Sequence, residues 1–148
     1  MRPAQDGFTL IEVLAVLAIL AAATFLAMPV TRGAVSVQAL RSAASDVAAA
    51  ARMTRAAALR SGMEQALTID VAERRYWADG VMGSRALPGH IGLELTVPPG
   101  EQARGSVSRI RFLPGGGSSG GKLVLRAGGV SAVVNVDWLT GGARVATP

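Results

Sequence analysis

Twenty-three consecutive residues, Phe8 to Val30, carry one charge, Glu12. No second apolar run of comparable length follows. Wound as an α-helix, the run reaches about 35 Å, against a bilayer hydrocarbon core of about 30 Å. The sequence therefore predicts a single membrane span at residues 8–30. Residues 31–148, with 14 basic and 8 acidic side chains, read as a water-exposed body.

Composition narrows the chemistry of that body. Half of the 148 residues are apolar and 17% are charged, which excludes a wholly disordered chain. The sequence has no cysteine, so it has no disulfide framework, thiolate metal site or cysteine nucleophile. Its one histidine, His90, lies between Pro88-Gly89 and Ile91-Gly92 and reads as a loop residue rather than a general base. The formal net charge of +5 allows attraction to an anionic surface without identifying one.

Three readings compete for the apolar run. A cleaved secretory signal would use Val13–Leu20 as its apolar region and Ala21-Ala22-Ala23 as its cleavage site, but Asp6 offsets Arg2 in the leading segment and Glu12 opens the apolar region. A plain anchor is also ill served by Glu12, because a carboxylate near hydrocarbon costs a few kcal/mol unless paired. The third reading gives that residue a purpose. Gly7-Phe8-Thr9-Leu10-Ile11-Glu12-Val13-Leu14 resembles the processing site of type IV pilins and type II secretion pseudopilins. The resemblance implies cleavage by a prepilin peptidase between Gly7 and Phe8, methylation of the new amine on Phe8, and a register role for Glu12 paired with the Phe8 amine of a neighbouring subunit. Asp6 stands where that family usually carries a basic residue.

Pro29 removes a backbone donor near the end of the run and predicts a kink, local melting or a helix end at Met28. Val37, Leu40, Ala44, Val47, Ala51 and Ala58 then recur at three-and-four spacing, with Arg41, Ser45, Arg52, Arg55 and Arg60 toward the other face. This is an amphipathic helix ending at Ser61-Gly62. Its arginines read as a solvated face.

After Gly62 the period changes to two. Leu67, Ile69 and Val71 alternate with polar or small residues, and a turn at 72–75 leads into Tyr76-Trp77, a hairpin. Further strands are expected at Ile91–Val97, Val107–Leu113, Lys122–Arg126, Val130–Trp138 and Ala143–Val145, with exposed loops at 79–90 and 98–106. Short strands joined by tight turns imply antiparallel pairing. The expected fold is α+β and pilin-like: a long N-terminal helix packed on antiparallel sheet structure.

Gly116-Gly117-Ser118-Ser119-Gly120-Gly121-Lys122 imitates the first seven positions of a phosphate-binding loop. Leu123 then stands where a magnesium-holding Ser or Thr belongs, and the alternation from Lys122 to Leu125 predicts a strand rather than the required helix. Asp70, Glu73 and Asp79 match no calcium-loop spacing. No catalytic residue, metal ligand or cofactor is assigned.

Phe112-Leu113-Pro114-Gly115, the Gly/Ser loop and strand after it, and Val136-Asp137-Trp138-Leu139-Thr140-Gly141 with Arg144-Val145 resemble the H-type minor pseudopilins (GspH) and the related FimT pilus proteins. The implied role is a structural subunit, not an enzyme, of the type II secretion pseudopilus. Residues 1–7 would be the leader, 8–30 the inner-membrane helix and 31–148 the periplasmic body. The implied partners are the prepilin peptidase, the major and other minor pseudopilins, and the inner-membrane secretion platform. The alternative is a FimT-like minor pilin that binds DNA through Arg109, Arg111, Arg126 and Arg144. DNA-binding members tend to end in Gly-Arg-x-Arg, whereas this chain has Gly142-Ala143-Arg144-Val145, so nucleic acid is not the expected partner.

Overall fold

The computed structural model describes residues 10–103 and 105–146, with the side chains of 25–36 left aside. Among the described residues one α-helix, α1 (Leu10–Ser61), precedes eight strands. The helix continues through Pro29, so neither an end at Met28 nor local melting occurs there. The chain divides into two compact units, Met1–Val35 and Ser36–Pro148.

In the first unit every described side chain from Leu10 to Thr24 is exposed. Leu10 is 80% and Ile11 75% exposed. A helix apolar on all sides is stable against lipid or other apolar helices rather than in water. Among the described residues no helix is long and apolar enough to cross a membrane. The side chains described in the apolar run end at Thr24, and part of the 8–30 span lies outside them.

The second unit has its own core. On α1 the buried residues are Leu40, Ala43, Ala44, Val47, Ala48, Ala50, Ala51, Thr54 and Ala58. The stripe is mostly alanine, so the sheet residues can approach the helix backbone closely. Thr54 is the polar member, and its hydroxyl donates to Ala50 O at 2.9 Å. Gly62, at φ +66°, ends the helix by donating its N–H to Ala58 O, as the sequence predicts.

The strands form two four-stranded antiparallel sheets. The first contains β1 (Gln65–Asp70), β2 (Arg75–Ala78), β3 (Met82–Ala86) and β5 (Val107–Phe112), in the order β3-β2-β1-β5. The second contains β4 (Gly92–Thr96), β6 (Gly121–Ala127), β7 (Val130–Val136) and β8 (Ala143–Ala146), in the order β4-β6-β7-β8. Leu67, Ile69, Tyr76, Ile110 and Phe112 of the first sheet join Leu123, Leu125, Ala132, Val134 and Val136 of the second in one buried cluster with the helix stripe. This is the expected α+β architecture.

Two of the loop assignments need correction. Residues 79–90 contain β3, which pairs with β2 across a bulge between Tyr76 and Ala78, and Leu87 just beyond it is buried. β3 escapes a pattern search because it is an edge strand, exposed over Gly83–Ala86, with no alternation to read. Segment 98–106 is a loop but is not uniformly exposed. Glu101 within it is only 4% exposed, and a bridge between Gln102 and Ser108 lays the loop along the outer edge of β5. A second bridge, Phe112 to Ser118, covers the same edge further on. Covering an edge in this way blocks strand addition there.

Candidate functional site

Glu12 lies in the first turn of α1, where its negative charge complements the helix dipole. It is exposed, as are its neighbours Ile11, Val13 and Val16. The described first unit thus presents one carboxylate on a helical surface that is otherwise apolar from Leu10 to Ala23, a geometry that calls for a cationic partner once water is excluded. Gly7 and Phe8 lie outside the described residues.

The glycine-rich segment that imitates a phosphate loop leads directly into β6, so no helix N-terminus faces it. Lys122 sits within that strand opposite Asn135. The segment instead supports a neighbouring turn. Ser118 is buried, donates its hydroxyl to Asp137 O at 2.9 Å and accepts Gly120 N–H at 3.0 Å. Ser118 N–H donates to Trp138 O at 2.8 Å. A side chain at Gly117 would make tight contact with Trp138 O at 3.2 Å and Leu139 O at 3.3 Å.

Across from it, Asp137 Oδ1 accepts three hydrogen bonds, from Leu139 N, Thr140 N and Thr140 Oγ1, at 3.1, 2.8 and 2.9 Å. The bonds from Thr140 and Leu139, aided by the charge of Arg144, hold its carboxyl below the ordinary range. Gly141, at φ +63°, closes the turn against Gly116 O. Arg55 Nε reaches from α1 to donate to Gly116 O at 3.1 Å, and Arg52 donates to Ala143 O at 3.4 Å. Within this framework Trp138 and Leu139 remain 68% and 66% exposed. Arg52 and Arg55 therefore belong only partly to the solvated face expected for them.

The arginines considered for DNA divide into two kinds. Arg111 donates to buried Glu101 at 2.6 Å and lies 3.5 Å from Glu64. The bond to Glu101 and the charges of both acids hold its guanidinium above the ordinary range. Arg126 pairs with Glu94 at 3.0 Å. Arg109 and Arg144 are exposed on separate sheets. Two of the four are thus paired with carboxylates.

Asp70, Glu73 and Asp79 all border one open groove of about 740 Å³ on the outer face of the first sheet, together with Trp77, Val81 and Met82. Asp70 has a structural task there. Its Oδ1 accepts from Ser106 Oγ at 2.6 Å and from the N–H groups of Ala72 and Glu73, which pulls its carboxyl below the ordinary range. Among the described residues no group of three His, Asp or Glu side chains is placed to hold a metal ion. His90 is exposed in the turn before Ile91.

Comparison with known proteins gives concordant matches. The prokaryotic N-terminal methylation motif matches residues 2–28, and the type II transport protein GspH family matches residues 43–141. Type II secretion system protein H of Xanthomonas campestris pv. campestris is 34% identical over 145 residues, spanning 97% of this chain and 85% of that protein. Two structures of the minor pseudopilin EpsH from the type 2 secretion system of Vibrio cholerae share the fold. One has TM-score 0.59 at 18% identity, over 74% of this chain and 97% of that one. The other has TM-score 0.60 at 17% identity, over 77% and 99%. With the helix-and-two-sheet body, the methylation motif and a family match over more than half its length, the chain belongs to the GspH family of type II transport proteins.

Proposed function

We propose that this chain is a minor pseudopilin, a structural subunit of the pseudopilus of a type II secretion system. Family membership supports the role, and one observation supports the mechanism: Glu12 is the lone charge on an exposed, otherwise apolar helical segment. In this reading the chain is made as a precursor with residues 1–7 as leader. The prepilin peptidase cuts after Gly7 and the amine of Phe8 is methylated. Residues 8–30 anchor the protein in the inner membrane, and 31–148 form the periplasmic body. The exposed apolar side chains then pack against other pseudopilins at the secretion platform. Glu12 pairs with a Phe8 amine and sets the axial register. Ion pairing carries weight there because lipid and protein exclude water, which raises the penalty for leaving either charge alone.

The mature N-terminus tests this directly. Intact-mass and N-terminal peptide analysis from a host with the peptidase should find a chain beginning at methylated Phe8. A chain beginning at Thr24, or one retaining Met1–Gly7, would overturn the processing scheme.

A further inference from the structure

Among the described residues β3, β5, β4 and β8 end the two sheets, and their edges are not protected alike. The edge of β5 is covered: Arg109 N–H donates to Glu101 O, Ala103 N–H to Val107 O and Ser119 N–H to Arg111 O. β3 is joined to its sheet across a bulge and carries Gly83, Ser84 and Arg85 rather than an alternating pattern. β8 has four residues, and Arg52 occupies the carbonyl of its first, Ala143. Covers, bulges, short length and charged side chains are the usual means of keeping an edge from pairing with another chain.

β4 has no cover and no bulge. It reads Gly-Leu-Glu-Leu-Thr, without lysine or proline. Its pairing with β6 is unbroken, from Gly92 opposite Arg126 to Thr96 opposite Lys122. In an antiparallel pair alternate residues turn both N–H and C=O to the partner, and the others turn them away. Among the described residues no donor or acceptor meets the outward main-chain groups of Gly92–Thr96. Leu93 and Leu95 lie opposite buried Leu125 and Leu123, on the core side, yet they are only half-buried, as is Val97. Free main-chain groups beside an incompletely covered apolar row form a template for another strand.

We infer that the outer edge of β4 receives an extended segment of a different pseudopilin, which adds as a fifth strand to the second sheet; the identity of the partner rests on the proposed function. In strand addition, main-chain bonds hold the segment and alternate side chains select it. Apolar residues opposite Leu93 and Leu95 complete the burial of those side chains, and a basic residue fits opposite exposed Glu94. On the other face a recess of about 270 Å³, lined by Gly92, Leu93, Glu94, Val124 and Arg126, takes one aliphatic side chain where Gly92 supplies none. A second copy of β4 is a poor occupant. Antiparallel pairing centred on the strand sets Glu94 against Glu94, and like charges directly opposite are destabilising.

Amide hydrogen exchange tests this on the full-length chain in detergent micelles, alone and mixed in turn with each other pseudopilin of its system. With one of them the outward amides of 92–96 should exchange several-fold more slowly, while the amides of β3 and β8 keep their rates. Proline then separates the edge from the fold. Glu94 and Leu95 turn their N–H groups to opposite sides, so Glu94→Pro and Leu95→Pro divide the two tasks. One removes a donor to β6 and lowers the melting temperature. The other removes an outward donor, melts near wild type and should abolish the slowing. Unchanged exchange at 92–96 with every pseudopilin overturns the inference, whether or not either proline variant folds. So does slowing that persists without the outward donor. Slowing that grows with the concentration of this chain alone marks self-pairing and overturns it too. The mass of the mature N-terminus tests the pseudopilin reading separately, and no exchange result bears on it.

Discussion

Arg111 of β5 holds the carboxylate of Glu101 at 2.6 Å, and Glu101 is only 4% exposed although it sits in a loop of Pro, Gly and polar residues. Glu101 also accepts the N–H of Arg109 through its backbone carbonyl. One side chain thus pins the loop that covers the edge of β5.

Removing the partner should matter more than neutralising the acid. Glu101→Gln keeps a hydrogen-bond acceptor and should lose about 0.5–1.5 kcal/mol. Arg111→Ala leaves a buried carboxylate unpaired and should cause the larger loss of the two, because the stranded group keeps its full desolvation penalty. Urea melts of the two variants check the order. Equal losses would mean that stranding the buried carboxylate costs no more than removing its charge.

Acid should loosen two turns. The folded-state pKa values of Asp70 and Asp137 are both lowered, chiefly by Ser106 and Thr140 respectively. A lowered carboxyl stabilises the fold fully above its unfolded pKa of about 3.9, and the contribution disappears as pH falls through the folded value. Asp137→Asn keeps an oxygen that can accept the turn bonds but does not titrate in this range. Its stability should therefore fall less steeply than wild type between about pH 4 and 2. Thermal melts across that interval read the slope, and parallel curves would remove Asp137 from the acid response.

The close approach of helix and sheets should resist enlargement. Ala51 is fully buried in the stripe, so Ala51→Leu should lose about 1–3 kcal/mol by overpacking. Gly141→Ala should be similarly harmful, because its φ of +63° disfavours a side chain and the new Cβ would stand 2.5 Å from Gly116 O. Both effects are measurable as a fall in denaturant midpoint. Ser45→Ala, at an exposed position of the same helix, serves as the control and should be almost neutral.

Glu12 separates insertion from assembly in the proposed role. Glu12→Gln should leave cleavage after Gly7 and membrane insertion nearly intact yet reduce crosslinking to the major pseudopilin. Glu12→Leu should insert at least as well, because a carboxylate near hydrocarbon is unfavourable by roughly 2–3 kcal/mol, and should assemble no better. Wild-type incorporation of both variants would shift the register contact to the body.

Features expressed over a few adjacent residues were legible before the structure. The apolar run with its lone acid, the Ala-rich stripe ended by Gly62, and the alternation of β7 all depend on local spacing. β3 was not, because an exposed edge strand has no buried face to impose a period. The burial of Glu101 was hidden for a related reason: its partner, Arg111, is ten residues away on another element. The arginines of α1 read as a charged face because their acceptors, Gly116 O and Ala143 O, are backbone atoms that any residue supplies. The phosphate-loop imitation was resolved by the strand period after Lys122, and the structure places β6 there.

The alanine stripe has a mechanical consequence. Between Ala43 and Ala58 the contact line of α1 is almost smooth, with few large side chains to interlock with the sheets. Dispersion across such a line opposes separation well but opposes axial slip poorly. Arg52 and Arg55, tied to carbonyls at 143 and 116, act as cross-braces against that slip. In the proposed filament role, these two bonds link the helix to the segments at 116 and 143 and resist its sliding along them.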